Sequence, residues 1–217
     1  MPFVWPSLAT LVLTIIAAIA SFRVLIAGFK RRGKGVKYEQ DFLIQRAPQL
    51  SSIATIVLII PSFLMQLTLL KVDASIMPFF TLSWLLPQTI TVAICWLGVA
   101  VLISGLIFMI GGWYSLGESF STDAEVLHDH NLRKNGLLQF VMHPAYSGII
   151  QSLFGAALAC ISPICLVMIL AVVAPLWLNR AKYEEQLMIE TFGQEYKDYG
   201  NQLHWRRLIP TFLPIGV

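Results

Sequence analysis

Apolar residues run along this chain in long unbroken blocks, not at the alternating or 3.6-residue spacing of a half-buried strand or surface helix. Such blocks cover residues 4–29, 52–70 and 89–113. A bilayer core of about 30 Å is crossed by some 20 apolar residues in helical conformation, so each block predicts one membrane span. A fourth apolar stretch, 145–178, is long enough for two short helices, and Cys160-Ile161-Ser162-Pro163-Ile164-Cys165 interrupts it near the middle. Ser-Pro favours a turn, and a mid-membrane proline would leave a carbonyl without its helical partner, so a tight hairpin is expected in place of one long tilted helix. The pattern predicts an all-α integral membrane protein with five transmembrane helices, the last two forming the hairpin. Gly148, Ser152 and Ala156 recur every four residues on the fourth, a small-residue stripe that admits a neighbouring backbone.

Charge placement orients these spans. Thirteen of the 15 Lys and Arg fall in three polar segments, 30–50, 114–143 and 179–217, and eleven of the 12 Asp and Glu accompany them. Lysine and arginine are retained on the cytoplasmic side, which predicts the N-terminus outside and the C-terminus inside, as an odd number of spans requires. No basic region precedes the first block and a basic cluster follows it, so a retained span is expected and not a cleavable signal peptide. The outer segment 72–88 carries Met77-Pro78-Phe79-Phe80 and Trp84 and is expected to lie in the membrane interface.

Composition narrows the function classes. The chain is 57% hydrophobic and 12% charged, against about 25% charged in soluble domains. A net charge of +3 leaves no electrostatic footprint for nucleic acid. The three cysteines, Cys95, Cys160 and Cys165, stand in apolar context, unlike a disulfide framework or a zinc site. Residues 1–113 thus read as a three-span membrane region, and 114–217 as the region that carries chemistry, ending in a cytoplasmic helix.

Within the polar segments, 30–50 reads as a basic topology signal touching anionic lipid. Glu118, Asp123, Glu125, His128, Asp129 and His130 read as a solvated loop, because His128-x-His130 would project to opposite sides of an extended chain with no third imidazole or thiolate nearby; no metal is expected. The end of the second segment is more pointed. Pro144 suits the first turn of a helix, which puts His143 at its mouth, where free backbone N–H groups favour an anionic group. His143 could be an interfacial cap with Tyr146 an aromatic-belt residue, or both could bind a ligand, and the residues alone leave the two readings open. After the last span, residues 179–193 predict a helix that leaves the membrane and ends at Gly193. Arg180 and Glu184 share one face of it as a solvated pair worth a few tenths of a kcal/mol, and Glu185, about 100° round, faces a different partner.

Taken together, residues 136–148, some thirty residues of hairpin, Arg180-x-x-x-Glu184-Glu185 and Phe192-Gly193-Gln194-Glu195-Tyr196-x-x-Tyr199 resemble the isoprenylcysteine carboxyl methyltransferase family and its phospholipid-methyltransferase-like relatives. The likeness covers about residues 132–210. It implies that S-adenosylmethionine binds at the cytoplasmic face and that a lipophilic methyl acceptor arrives from the bilayer, with membrane lipids as the only other partner. On that resemblance His143, Tyr146, Glu184 and the backbone near Gln139 and Val141 bind cofactor, while Arg180 and Glu185 order the reaction centre. Where the family usually has Pro-Tyr-Arg after the glycine and Arg before His-Pro, this chain has Leu137-Leu138-Gln139 and Met142. Two cations are therefore missing, which points to a less anionic acceptor, a lipophilic thiol or hydroxyl as readily as a prenylcysteine carboxylate. In-line transfer from a sulfonium demands alignment and exclusion of water more than an acid or base, so a sparse site suffices. The rival readings are a nicotinamide-dependent membrane reductase of the sterol-reductase type and a non-catalytic membrane scaffold.

Overall fold

The computed structural model describes residues 4–35, 37–38, 41–71, 73, 75–127 and 132–203. His128, Asp129 and His130 and the basic Arg206 and Arg207 lie outside the described residues. The chain is mostly helical: α1 (Val4–Arg31), α2 (Phe42–Gln45), α3 (Ala47–Gln66), α4 (Met77–Phe80), α5 (Gln88–Leu116), α6 (Pro144–Ala159), α7 (Pro163–Met168), α8 (Ala174–Phe192) and α9 (Gln194–Gln202). A π turn, Ile169–Val173, joins α7 to α8 in one continuous helix. Among the described residues the exception to an all-α fold is a two-stranded antiparallel ribbon, β1 (Lys37–Tyr38) with β2 (Glu125–Val126), which pairs Lys37 with Val126 and Tyr38 with Glu125.

Among the described residues, four helices are long and apolar enough to cross a membrane: Val4–Arg31, Ala47–Gln66, Gln88–Ser119 and Pro163–Phe192. The fifth expected span, α6, has 16 residues, about 24 Å at 1.5 Å per residue and so shorter than a bilayer core. The two prolines act as the sequence suggests. Pro144 opens α6 and Pro163 opens α7, each at a position whose N–H no helical carbonyl would accept. Between α6 and α7 the chain turns through Ile161 at φ +47, and Ser162 N donates to Ala157 O over 2.9 Å. Gly193, at φ +58, stops α8 with a positive φ that a glycine adopts without strain.

The chain divides into two compact units, each built from three stretches: 1–18, 49–106 and 149–175 in the first, 19–48, 107–148 and 176–217 in the second. In the first unit α5 and α6 pack backbone to backbone. A Cβ on Gly98 would lie 2.7 Å from Ala159 Cα, one on Gly105 2.7 Å from Ser152 Cα, and one on Gly155 2.7 Å from Leu102 Cα. The small-residue seam therefore runs through Ser152, Gly155 and Ala159, and of the stripe anticipated on this helix it shares Ser152. Two polar pairs are matched inside this unit: Ser7 Oγ donates to Gln66 Oε1 over 2.6 Å and Ser62 Oγ to Ser162 Oγ over 2.9 Å, as apolar surroundings require.

The second unit holds the described parts of the polar segments, and residues 123–126 among them are buried. Asp123, with 1% of its side chain exposed, pairs with Arg46 Nη1 at 2.7 Å and Arg32 Nε at 3.1 Å. Glu125 Oε2 accepts from Gly35 N at 2.7 Å and its Oε1 from Gly33 N at 3.1 Å. Gln45 clasps Ala124 from both sides, donating from Nε2 to its carbonyl and accepting from its N–H, each at 3.0 Å. Asp123 and Glu125, read as part of a solvated loop, are thus folded against the basic segment. The correction has a physical cause, since pairing that spans 77 to 92 residues leaves no local signature.

Candidate functional site

The first turn of α6 and the middle of α8 meet in the second unit. On α8, Trp177, Arg180, Ala181 and Glu185 are buried at helical spacing, so the face that a helix entering cytosol would show to water is instead covered. Arg180 is 2% exposed. Its Nε donates to the Tyr146 hydroxyl over 3.0 Å and to Glu184 Oε1 over 3.1 Å, its Nη1 to Gln45 O over 3.3 Å and its Nη2 to Thr122 O over 3.0 Å. The Tyr146 hydroxyl in turn donates to Glu184 Oε1. The guanidinium stands 5.7 Å from the ring centroids of both Tyr146 and Trp177, and those rings lie 4.6 Å apart. The solvated pair expected of Arg180 and Glu184 is thus a partly buried one, with the arginine enclosed and 19% of the glutamate side chain exposed.

His143 caps this arrangement at the mouth of α6. Its ring stacks on Tyr146 with centroids 5.4 Å apart and 6° between planes. Glu184 and Glu185 both reach it, Glu185 Oε1 at 3.3 Å from Nε2 and Glu184 Oε2 at 3.9 Å from Nδ1. The two acids therefore share His143, contrary to the expectation that they face different partners; the imidazole is long enough to bridge the angle between them. His143 Nε2 is buried and, among the described residues, makes no hydrogen bond, although Glu185 Oε1 stands 3.3 Å away.

The remaining sequence candidates lie on the turn that precedes α6. Gln139 closes a 3₁₀ turn, 136–139, and is exposed. Val141 is fully buried and its N–H donates to Leu137 O over 3.2 Å. This turn is held from α9, where Tyr199 donates its hydroxyl to Leu138 O over 2.6 Å. Burial pushes the Tyr199 phenol above its ordinary pKa, so it remains a donor. Met142, in the place of a family arginine, packs with Tyr196, Tyr199 and Leu203. The substitution is thereby accounted for, since α9 covers that position with apolar surface.

Sequence reading missed Gln45, Thr122 and Trp177. Gln45 and Thr122 act through main-chain carbonyls, which carry no residue signature. Trp177 was legible in principle, standing three residues before Arg180 on the same helical face.

Glu184 thus stands beside the Tyr146 hydroxyl and the His143 ring, with the Tyr146 and Trp177 faces next to it. Such a set fits a cofactor with a cationic centre and polar substituents.

Four long apolar helices among the described residues, with this polar cluster buried beside them in the chain's second unit, define an integral membrane protein. A solved structure described as the eukaryotic intramembrane Ras methyltransferase ICMT superposes with a TM-score of 0.59 at 22% identity, covering 97% of this chain and 68% of that one. At that identity the likeness is one of fold. Residues 96–190 match the sequence model of the isoprenylcysteine carboxyl methyltransferase (ICMT) family, which bears out the resemblance. Among curated proteins, the protein-S-isoprenylcysteine O-methyltransferase of Saccharomyces cerevisiae is 30% identical over 109 residues, 49% of this chain and 46% of its own length. That of Dictyostelium discoideum is 27% identical over 123 residues, 55% of this chain and 52% of its own. The matched part spans about half the length of these relatives.

Proposed function

We propose that this protein is an S-adenosylmethionine-dependent methyltransferase that acts at the cytoplasmic membrane face on a lipophilic acceptor. The observation that carries this reading is the buried network in which His143 and Tyr146 meet Arg180, Glu184 and Glu185. In it, S-adenosylmethionine supplies a methyl group on a sulfonium, so that the acceptor's lone pair forms the new bond while the carbon–sulfur pair of electrons stays with sulfur. His143, Tyr146 and Glu184 hold the cofactor, with the main chain near Gln139 and Val141 closing the same side. Glu185 fixes the His143 ring. Arg180 is a positioning residue, since its donors are aimed at Tyr146, Glu184 and two carbonyls. In a low-dielectric site these groups need only keep the reacting atoms aligned and water out.

The acceptor comes from the bilayer. With Met142 built into apolar packing and Gln139 uncharged, no cation of this turn replaces the two family arginines, which favours a thiol or hydroxyl at least as much as a carboxylate. The membrane arrangement proposed is five spans, α6 and the α7–α8 helix forming the hairpin, with the C-terminus cytoplasmic. Residues 114–217 carry the chemistry and 1–113 the membrane body, which lends Gln45 to the site.

Calorimetric titration of the purified protein with S-adenosylhomocysteine and with NADPH tests the reading. Binding of S-adenosylhomocysteine, weakened about tenfold in a folded His143→Ala variant, is the expected result. Binding of NADPH alone would overturn it in favour of a reductase.

A further inference from the structure

Four consecutive residues, Thr122 to Glu125, are each gripped by a different part of the second unit. Thr122 O receives Arg180 Nη2 at 3.0 Å; Asp123 receives Arg46 and Arg32 at 2.7 and 3.1 Å. Both main-chain groups of Ala124 bind the Gln45 amide, and Glu125 binds Gly33 N and Gly35 N. Arg180 Nη1 meets Gln45 O, so the two carbonyls that receive its guanidinium come from the two segments that these contacts lock together. Neither Asp123 nor Gln45 touches Tyr146, Glu184 or His143 in any contact above, yet the atoms facing Arg180 belong to Gln45 itself and to the neighbour of Asp123.

We propose that Asp123 and Gln45 are positioning residues for Arg180: by locking the first polar segment to residues 122–125, they hold two carbonyls at the distance that aims the guanidinium at Tyr146 and Glu184. The consequence for turnover rests on the methyltransferase reading above. Asp123 is well suited to this task. Its two guanidinium partners come from either end of the first segment, Arg32 before the ribbon strand and Arg46 beside Gln45, so one buried carboxylate sets the closure of the whole segment. If it is lost, the Gln45 amide on Ala124 is left to tie Gln45 O to Thr122 O, and the Arg180 Nε is held less firmly on the oxygens it shares.

Two measurements on the full chain in detergent test this. The first is ¹⁵N-arginine spectroscopy of the side-chain Nε–H, with the Arg180 resonance assigned by its loss in Arg180→Lys. Held by its neighbours, this proton exchanges slowly in the parent, and Asp123→Asn is expected to speed exchange at least about tenfold. Arg46→Lys, which keeps the charge and surrenders the two-pronged pairing, serves where the aspartate variant folds poorly and should give a smaller acceleration. The second is methyl transfer in a double-mutant cycle. Asp123→Asn should lower kcat about tenfold or more with a smaller change in cofactor affinity, and Asp123→Asn with Arg180→Lys should be no slower than Arg180→Lys alone within about twofold. Unchanged Arg180 exchange in folded variants, or additive losses in the cycle, would overturn the proposal. Absence of methyl transfer in the parent would sink the methyltransferase reading alone, and the exchange measurement would still decide the positioning role.

Discussion

Removing the Tyr146 hydroxyl takes away one atom that serves two neighbours, since it accepts from Arg180 and donates to Glu184. Arg180 Nε retains Glu184 in its absence, so Tyr146→Phe should cost about 1–2 kcal/mol of stability, the usual penalty for a buried group that loses one of its partners. Thermal unfolding in detergent, followed by ligand titration, checks this: the midpoint should fall modestly and S-adenosylhomocysteine binding should weaken. Asp123 makes a different prediction. Burial alone would raise its pKa, but hydrogen bonds and charge from Arg46, with Arg32 adding to them, hold it below the ordinary carboxylate range. A carboxyl whose folded pKa lies below its unfolded value of about 3.9 contributes its full stabilisation above that value and loses it as pH falls through the folded pKa. Stability should therefore decline below about pH 4, and the decline should be shallower in Asp123→Asn, as read from unfolding midpoints across a pH series. The sequence disclosed the identities in the site but not their surroundings. Arg180 four residues before Glu184 looks like a solvent-facing pair, and only the carbonyls of Gln45 and Thr122 show that it is enclosed.

Elements were legible to the degree that local chemistry sets them. Gly193 ends α8 because its φ of +58 suits glycine, and Pro144 and Pro163 open their helices because each lacks an N–H to satisfy. The π turn, Ile169–Val173, left no mark, since an apolar run reads the same whichever carbonyl each N–H chooses. The ribbon of Lys37–Tyr38 with Glu125–Val126 was equally hidden, because its partners are distant in sequence. Helix packing yields a test at two glycines. At Gly105 a Cβ would press into the Ser152 backbone at 2.7 Å, whereas at Gly117, φ +55, it would meet nothing within 4 Å. Gly105→Ala must push α5 from α6 and should cost about 1–3 kcal/mol. Gly117→Ala bears only left-handed backbone strain of about 1–2 kcal/mol. Comparison of thermal midpoints in one detergent should rank Gly105→Ala as the more damaging where the α5–α6 seam cannot relax, and an undisturbed Gly105→Ala would mean that this seam is loose.

For the whole molecule, the distribution of Lys and Arg makes the membrane orientation testable. On the proposed topology a cysteine placed at exposed Ser75 should react with an impermeant thiol reagent from outside, while a reporter fused to the C-terminus should signal from the cytoplasm. Both reporting from the same side would mean that the number of spans between them is even. The separation in sequence between Asp123 and its partners adds a consequence in time. Arg46 precedes it by 77 residues and Arg32 by 91, an interval of about 4–18 s at a synthesis rate of 5–20 residues per second. On the proposed topology Arg32 and Arg46 help to hold their loop on the cytoplasmic side while α1 and α3 are threaded, before the Asp123 carboxylate exists. Only when Asp123 emerges can it pair with them. The same two side chains thus first steer insertion and afterwards close the fold, and translation itself keeps the two tasks from interfering.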